Sequence, residues 1–475
     1  MAVDMWKFLM VVWMSLNSNL AFAAGGGMSQ IGLLWALPFA GVLLSIALFP
    51  LIAPQFWHHH FGKVAAAWSA AFLIPAMAYF GLNEVLNVVA HALLAEYIPF
   101  IVLIASLFII SGGIYVRGNL HGSPEVNVAF LFVGAVLASV MGTTGASMLL
   151  IRPLLRANDN RQHKVHVVVF FIFLVANIGG SLTPLGDPPL FLGFLKGVPF
   201  LWTLQYIFLE TCLSTAILLG LFYMIDRYYY HKREERLPEI MDPTPDTYGI
   251  GFDGKLNFVW LLGAIFFVLL SGLWKSDVSF NVLGTAVGLP GLVRDAGLVM
   301  MAWLSWMTTT QSIRIKNQFH FDPVFEVAKL FVAIFITIAP VIAMLQAGVD
   351  GPFVQLVHLV HDASGAPIDS HYFWATGLLS GFLDNAPTYL VFFNLAGGDV
   401  ARLTTDYAST LAAISAGSVF MGALSYIGNA PNFMVKSIAE HSGLKMPSFF
   451  GYMAWSFGIL VPLFVLLTVL FFKPI

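Results

Sequence analysis

The chain contains little charge and almost no cysteine. Of its 475 residues, 10% are charged and 59% are hydrophobic, whereas about 25% of the residues in a typical soluble domain are charged. A composition this apolar excludes a water-soluble globular protein and indicates a membrane protein. The single cysteine, Cys212, excludes an internal disulfide and any cysteine-based metal site. The small net charge of -3 and the lack of a basic tract give no indication of nucleic-acid binding.

The first residues form an apolar segment that differs from the later ones. The apolar run within residues 1–24 is short, Lys7 stands near its start, and Ala21-Phe22-Ala23 stands near its end. This pattern is typical of a signal peptide. Because Asp4 weakens the basic region before the run, a retained membrane anchor is the alternative. We predict a signal peptide over residues 1–24.

Ten later apolar runs are long enough to cross a bilayer, because a helix needs about 20 residues to span ~30 Å of hydrocarbon. They lie near residues 31–54, 62–82, 97–116, 165–198, 203–226, 256–275, 280–305, 326–348, 408–440 and 449–472. The runs at 165–198 and 408–440 are interrupted by polar residues. Two amphipathic pieces, near 84–95 and 351–362, are predicted to lie along the membrane interface.

Two further segments, 126–156 and 371–398, are apolar, then polar, then apolar again. Their arms are too short to cross as separate spans. We therefore predict re-entrant hairpins, whose irregular tips are tolerated inside a membrane only where protein or a water-filled cavity surrounds them.

The placement of lysine and arginine tests this layout, because cytoplasmic loops carry an excess of these residues. The predicted inside loops are 55–63, 117–125, 152–164, 227–255 and 306–325, and the outside loops carry few basic residues. Loops 117–125 and 152–164 fall on the same side only if 126–156 re-enters the membrane. The charge pattern therefore supports the first hairpin.

Five regions follow the predicted signal peptide in an all-α polytopic fold. We expect, in order, N-terminal scaffold helices at 31–96, a first repeat at 97–226, a cytoplasmic loop at 227–255, linking helices at 256–325 and a second repeat at 326–475. The first repeat begins outside and the second begins inside. The two repeats are therefore predicted to be inverted.

Two polar interruptions share one plan and reveal the duplication. Residues 179–191 read GGSLTPLGDPPLF and residues 421–433 read MGALSYIGNAPNF. This alignment places Asp187 on Asn429. A second polar break precedes each of them at nearly the same offset. In a membrane protein, matching Gly/Pro-interrupted segments in two halves mark the binding site of a transporter.

Oxygen-bearing side chains surround both interruptions. The first predicted site contains Thr143, Thr144, Ser147, Thr183 and Asp187, and the second contains Asp384, Asn385, Thr388, Ser425, Asn429 and Asn432. Each site has one carboxylate among neutral oxygen donors, which suits a hard cation such as sodium. Burial favours the protonated carboxyl and a bound cation favours the ionised one, so that one group can hold either a proton or a sodium ion.

These sequences also have ordinary structural interpretations. In a soluble loop, Asp-Pro and Asp-Asn steps are common turns and helix caps, and membrane hydroxyls often bond to helix carbonyls. An ionisable group inside a membrane costs ~2.5–3.5 kcal/mol and is functional by default. We therefore predict that Asp187 and Asp384 bind the transported ion.

Together, the interruptions and the Asp384-Asn385-Ala386-Pro387-Thr388 stretch resemble the ion transporter superfamily, over about residue 31 to the end. An acid in the first broken helix and an Asp-Asn pair in the second hairpin are most similar to NhaD-type sodium/proton antiporters. Dicarboxylate symporters carry Ser-Asn-Thr at their hairpin tips, and this chain does not. It departs from the NhaD-type pattern at Thr143-Thr144 and Pro188-Pro189. The resemblance implies a homodimer in which hairpins and broken helices slide against a scaffold.

Our first interpretation is a secondary transporter of a bacterial-type inner membrane that exchanges sodium or lithium for protons by alternating access. Asp187 and Asp384 would then be the titrating ligands, and no cofactor beyond the transported ions is expected. The alternative is a proton- or sodium-coupled carrier of citrate or a dicarboxylate, in which the threonine and asparagine donors bind the anion. Two hairpins from opposite faces fit alternation better than an open channel. The sequence offers no nucleophile and base pair, metal cluster or nucleotide loop of an enzyme.

Overall fold

The computed structural model describes residues 32–118, 121–231 and 251–472. Apart from turns and loops, these residues are helical with only four short strands, which confirms the predicted all-α polytopic class. The predicted signal peptide at 1–24 lies outside the described residues, and so does the middle of the predicted loop 227–255.

The N-terminal part contains three helices that lead into the first repeat. They are α1 Leu37–Ile52, α2 Pro54–Phe80 and α3 Leu82–His91. A π-helical turn, Ala92–Tyr97, joins α3 to α4 Ile98–Ser111, so that one apolar helix runs over Leu82–Ser111. The amphipathic piece predicted near 84–95 is therefore not a separate interfacial helix, because the backbone continues through it without a break.

The first repeat continues with a helical hairpin. Its arms are α5 Pro124–Met141 and α6 Thr143–Ala157, and only Gly142, at φ 83°, separates them. A left-handed φ of this kind is open to glycine without a steric penalty. The open end is closed by Asn127 and Asn158, whose side-chain amides exchange two hydrogen bonds of 2.9 and 2.8 Å. Both ends of the segment therefore meet, as a re-entrant hairpin requires.

One detail of the hairpin prediction was wrong. Helix α5 has 18 residues and is long and apolar enough to cross a membrane alone. The reversal at Gly142 makes the segment a hairpin, rather than the shortness of this arm.

A broken helix follows the first hairpin. It consists of α7 Val165–Leu174, a 3-10 turn Ile178–Leu182 and α8 Pro188–Leu195, and the repeat then closes with α9 Trp202–Tyr206 and α10 Phe208–Tyr229. The unwound stretch folds tightly, because a Cβ on Gly186 would lie 2.0 Å from the carbonyl oxygen of Gly180. Only glycine fits at Gly186 in this conformation.

Of the four short strands, one lies in the first repeat, one at the end of the predicted loop 227–255, and two in the linking region. Strand β1 Tyr115–Arg117 pairs antiparallel with β2 Gly251–Asp253, and α11 Leu256–Leu273, β3 Ser279–Val282, β4 Thr285–Gly288, α12 Leu289–Thr308 and α13 Gln311–Lys316 follow. The predicted span 280–305 starts too early. Its first residues form the β3–β4 hairpin, which turns at Leu283 and Gly284 with φ 51° and 81°.

The second repeat contains a helical hairpin and a broken helix in the same order as the first. Its helices are α14 Asp322–Thr337, α15 Ala339–Gln346, α16 Val354–Val360, α17 Asp369–Ser380, α18 Asn385–Leu395, α19 Val400–Thr404, α20 Ala408–Phe420, α21 Ala430–His441 and α22 Phe449–Phe471. Helices α6 and α18 begin at Thr143 and Asn385, and α8 and α21 begin at Pro188 and Ala430. Both pairs are 242 residues apart, which confirms the duplication in three dimensions.

The number of membrane-spanning helices is lower than predicted. Among the described residues, eight helices are long and apolar enough to cross a membrane, and the pair α14 and α15, bent by 43°, adds a ninth. One of the eight is the hairpin arm α5. Two predicted spans do not meet the criterion: α12, which carries Arg294 and Asp295, and the first half of the second broken helix, Ala408–Leu424, which is too short.

Contacts near the two ends of helix α4 show in which direction each hairpin opens. Just beyond its C-terminal end, Arg156 of the first hairpin donates to the Tyr115 hydroxyl at 3.0 Å. Just before its N-terminal end, Glu96 forms an ion pair of 2.8 Å with Lys196, which follows α8. The first hairpin therefore opens at one end of α4, and the first broken helix reaches the other end.

The second hairpin opens at that other end. Helix α18 packs along α8, and Val400, which follows α18, lies within 3.8 Å of the position of a Cβ on Gly197. The two hairpins therefore enter from opposite directions, and the repeats are inverted. Three predicted cytoplasmic loops also meet on one side, because Asp253 contacts both Arg117 at 2.8 Å and Lys316 at 3.7 Å.

Candidate functional site

The Asp187 carboxylate lies where both hairpins and both broken helices converge. Its side chain is 1% exposed. Oδ1 accepts hydrogen bonds from the Thr143 hydroxyl at 3.0 Å and from the Asn429 amide at 3.2 Å, and Oδ2 accepts one from the Asn385 amide. Three neutral donors therefore surround a buried acid.

These donors come from three separate elements. Thr143 begins α6 at the tip of the first hairpin, Asn385 begins α18 at the tip of the second, and Asn429 precedes α21 in the second broken helix. They meet because helices of one repeat pack on helices of the other: α6 packs on α21, and α8 packs on α18. The structure thus joins members of the two predicted sites around one carboxylate.

Asp384 is held differently. It is the N-cap residue of α18, and its Oδ1 accepts a hydrogen bond of 3.1 Å from the Ala386 amide. It is half-buried and lines the same cleft as Asp187 and Thr144. The cleft therefore contains two acids, one bound by side chains of other elements and one capping its own helix.

Thr183 and Ser425 fasten the unwound turns to the hairpins. The Thr183 hydroxyl donates to the Ser139 carbonyl, and the Ser425 hydroxyl donates to the Gly381 carbonyl, each at 2.5 Å. These contacts occupy equivalent positions in the two repeats. Both hydroxyls are thereby engaged with backbone rather than with an acid.

The remaining predicted hydroxyls lie deeper in the hairpins. Thr388 donates to the Asp384 carbonyl at 2.9 Å within its own helix. Ser147 is fully buried, and its Oγ has no hydrogen-bond partner within the described part of the chain. Neither of these two hydroxyls is bonded to Asp187.

A cleft of about 70 Å³ opens beside Asp187, whereas one water molecule needs ~10–15 Å³. One wall is apolar and comes from α4 and α14, including Phe100, Leu107 and Phe331. The other wall consists of the hairpin tips and the unwound turns. No lysine, arginine or histidine is among the described residues that line the cleft.

Four helices begin at this cleft. They are α6, α8, α18 and α21, and their N-cap residues are Gly142, Asp187, Asp384 and Asn429. Helix N-termini carry partial positive charge and free amide groups. The cleft therefore combines two acidic side chains with four positive backbone ends.

Sequence reasoning missed Asn177, which is fully buried between the broken helices. Its Nδ2 donates to Asn432 Oδ1 at 2.7 Å, and its Oδ1 accepts from Asn429 at 3.3 Å. The available signal was a lone amide inside an otherwise apolar run, just before the 179–191 stretch. Asn177 therefore connects the first broken helix to a residue that contacts Asp187.

The described residues contain no group of three histidine, cysteine or acidic side chains that could hold a transition metal. Residues 28–472 match the sequence model of the family described as "putative citrate transport". No curated protein matches the chain in sequence. Because the match covers nearly the whole chain and the fold is that of a multi-pass membrane protein, the chain belongs to this citrate-transporter-like family of ion transporters.

Proposed function

We propose that this protein is a secondary transporter that moves a citrate-like carboxylate anion together with a cation, and that Asp187 binds this cation. The supporting observation is the chemistry around Asp187: a buried carboxylate, three neutral donors and no basic side chain on the described lining of the cleft. An ionised acid inside a membrane is costly when no cation accompanies it, by ~2.5–3.5 kcal/mol on insertion scales. A sodium ion or a proton removes that cost.

The four helix N-termini supply the attraction for the anion. Their amide groups favour carboxylates, as in other transporters with discontinuous helices. The two acids oppose this attraction until a cation neutralises them. Cation binding would thus precede anion binding, and this order couples the two fluxes.

Movement would take place at the apolar wall of the cleft. Hairpins and broken helices interlock around Asp187, whereas α4 and α14 present mainly apolar side chains such as Leu103 and Phe331 to the cleft. A mainly apolar boundary permits sliding because few hydrogen bonds would break. We propose that α4 and α14 belong to a scaffold, paired in a homodimer, against which the interlocked elements move.

A second candidate is the exchange of sodium or lithium for protons across a bacterial-type inner membrane, without an organic substrate. The observation in its favour is that Asp187 and Asp384 line the cleft without a basic residue among the described lining residues. A cleft with this side-chain charge accepts a cation directly. In this case Asp187 would hold sodium and protons in turn.

Purified protein in liposomes separates the two candidates. We would measure uptake of radiolabelled citrate under an inward sodium or proton gradient, and the pH inside the vesicles with a trapped dye. Cation-dependent citrate uptake supports the first candidate. Sodium-dependent collapse of a pH gradient without citrate supports the second, and the lack of both signals would refute the proposal.

The variant Asp187→Asn tests the role of the acid in either assay. It removes the charge and keeps the size of the side chain, and we expect transport to fall below detection. Asp322→Asn is the matched control, because the Asp322 side chain is 87% exposed at the start of α14 and should keep wild-type transport. Normal transport by Asp187→Asn would remove this residue from the mechanism.

A further inference from the structure

A chain of buried amides leads from the second broken helix to Asp187. Asn432 Nδ2 donates to the carbonyl oxygens of Gly422 and Ser425, at 2.8 and 2.9 Å. Asn432 Oδ1 accepts from Asn177 Nδ2 at 2.7 Å. Asn177 Oδ1 accepts from Asn429 Nδ2 at 3.3 Å, and this Nδ2 also donates to Asp187 Oδ1 at 3.2 Å.

Each link in this chain has a fixed direction. Carbonyl oxygens only accept, and so Asn432 must turn its NH2 group towards the Gly422 and Ser425 carbonyls and its oxygen towards Asn177. Asn177 must then donate with its NH2 group, which also bonds the Ile172 carbonyl at 2.8 Å. Its oxygen is left to accept from Asn429. Asn429 Nδ2 also donates directly to the Ala176 carbonyl at 3.1 Å. The orientation of the Asn429 amide is therefore fixed both by this carbonyl and, through Asn177 and Asn432, by the Gly422 and Ser425 carbonyls.

This orientation matters at the cleft. Asn429 presents its NH2 group to Asp187, and its oxygen is then the remaining acceptor of this cleft-lining side chain. If the amide rotated by half a turn, it would place an oxygen against the Asp187 carboxylate and repel it. The Ala176 carbonyl and the chain of amides thus favour the orientation in which Asn429 donates to the Asp187 carboxylate.

The arrangement exists in only one of the two repeats. At the same 242-residue offset, Asn177 corresponds to Val419 and Asn432 corresponds to Leu190. The duplication therefore does not account for the amide chain. Asn177 of the first broken helix bonds to Asn432 of the second, whereas the equivalent positions with the repeats exchanged hold Val419 and Leu190.

We propose that Asn177 is a positioning residue that, together with the Ala176 carbonyl, holds the Asn429 amide with its NH2 group towards Asp187 and thereby raises the affinity of Asp187 for the coupling cation. This inference rests on the proposed function for the cation, and it adds a residue that does not contact Asp187. It also links the conformation of the second broken helix to the ion bound at Asp187, because the chain of amides ends at the Gly422 and Ser425 carbonyls.

The test is a double-mutant cycle with Asn177→Ala and Asn429→Ala, in whichever of the two transport assays the wild type responds to. We expect Asn177→Ala to raise the half-saturating cation concentration about five- to tenfold, the equivalent of one lost hydrogen bond. The maximal rate should change by less than about twofold, as for a loss of binding alone. In the Asn429→Ala background, Asn177→Ala should add less than about twofold, because it acts through Asn429.

Two further variants exclude a purely structural role. Asn177→Leu keeps the approximate size of the side chain but can neither donate to Asn432 nor accept from Asn429; we expect its cation affinity to fall as far as that of Asn177→Ala. Asn394→Ala removes another buried asparagine, which bonds the Leu390 carbonyl at 2.7 Å away from the cleft, and it should keep the wild-type affinity. Equal effects of Asn177→Ala and Asn394→Ala, or full additivity in the cycle, would overturn the inference.

The amide chain can also be tested without transport. The thermal unfolding midpoints of the same four cycle members in detergent should be non-additive, because Asn177 and Asn429 share a hydrogen bond. Additive midpoints would overturn the amide chain whatever the protein transports. A wild type that moves neither citrate nor cations, yet shows this coupling, would instead refute the proposed function alone.

Discussion

Gly186→Ala should strongly slow transport through a backbone clash rather than through a lost ligand. The added Cβ would lie 2.0 Å from the Gly180 carbonyl oxygen, whereas ordinary contacts begin at 3.4 Å. The opposing atom is backbone and cannot rotate away, so the unwound turn must open by about 1 Å or more. Overpacking of this kind typically costs about 1–3 kcal/mol of stability.

The opening of the turn also displaces the site. Gly186 accepts a hydrogen bond of 2.8 Å from the Thr143 amide at the hairpin tip, and Asp187 is the next residue. A misplacement of ~1 Å at a reacting group can reduce a rate by about a hundredfold. We therefore expect the transport rate of Gly186→Ala to fall by about that factor, together with a lower unfolding midpoint.

The assay is initial-rate uptake in liposomes, with thermal unfolding in detergent as the measure of folding. Gly428→Ala is the counterpart in the second repeat, where the added Cβ would lie 2.5 Å from the Gly422 carbonyl, and it should behave alike. Gly220→Ala in α10 is the control, because nothing lies within 4 Å of its added Cβ. If Gly186→Ala transports and unfolds like the control, the tight backbone contact is not required.

Three further predictions concern charged groups and a helix cap. Lys196→Met removes the 2.8 Å ion pair to Glu96, which joins the end of α8 to the start of α4. We expect a changed rate of uptake with an unchanged cation affinity. The double variant Glu96→Lys with Lys196→Glu, which exchanges the two charges, should restore the rate. Arg161→Leu leaves the fully buried Asp226 without its 2.5 Å partner, and it should destabilise the protein by about 3–5 kcal/mol, measured as a lower unfolding midpoint. Ser123→Ala removes the N-cap contact of 3.3 Å to Val126 and should cost about 1 kcal/mol in the same measurement, with normal cation affinity.

The broken helices could be predicted because their chemistry is local. Glycine, proline and a polar residue inside an apolar run interrupt a helix wherever the rest of the chain lies, and the shared pattern at 179–191 and 421–433 shows the duplication directly. The β3–β4 hairpin could not be found in this way. Its residues are apolar enough to extend the following span, and the turn depends on the positive φ of Leu283 and Gly284.

The partners of Asp187 depend on long-range packing. Sequence reasoning grouped Thr143 with Asp187 by proximity along the chain, but it assigned Asn385 to a separate site, 198 residues away. Only the crossing of α6 on α21 and α18 on α8 brings them together. Asn177 was missed for the same reason, since a single buried amide gives no sign of which side chain it meets.

Two perfectly equal halves would have given this protein an acid at position 429 as well as at 187. Two carboxylates at the present separation of 3.2 Å could coexist only by sharing a proton or by holding extra positive charge. The amide at Asn429 leaves Asp187 as the one carboxylate in this hydrogen-bonded group, whereas Asp384 caps α18 elsewhere on the cleft. If Asp187 binds the coupling cation as proposed, this unequal pair means that one carboxylate rather than two has to be compensated at this point.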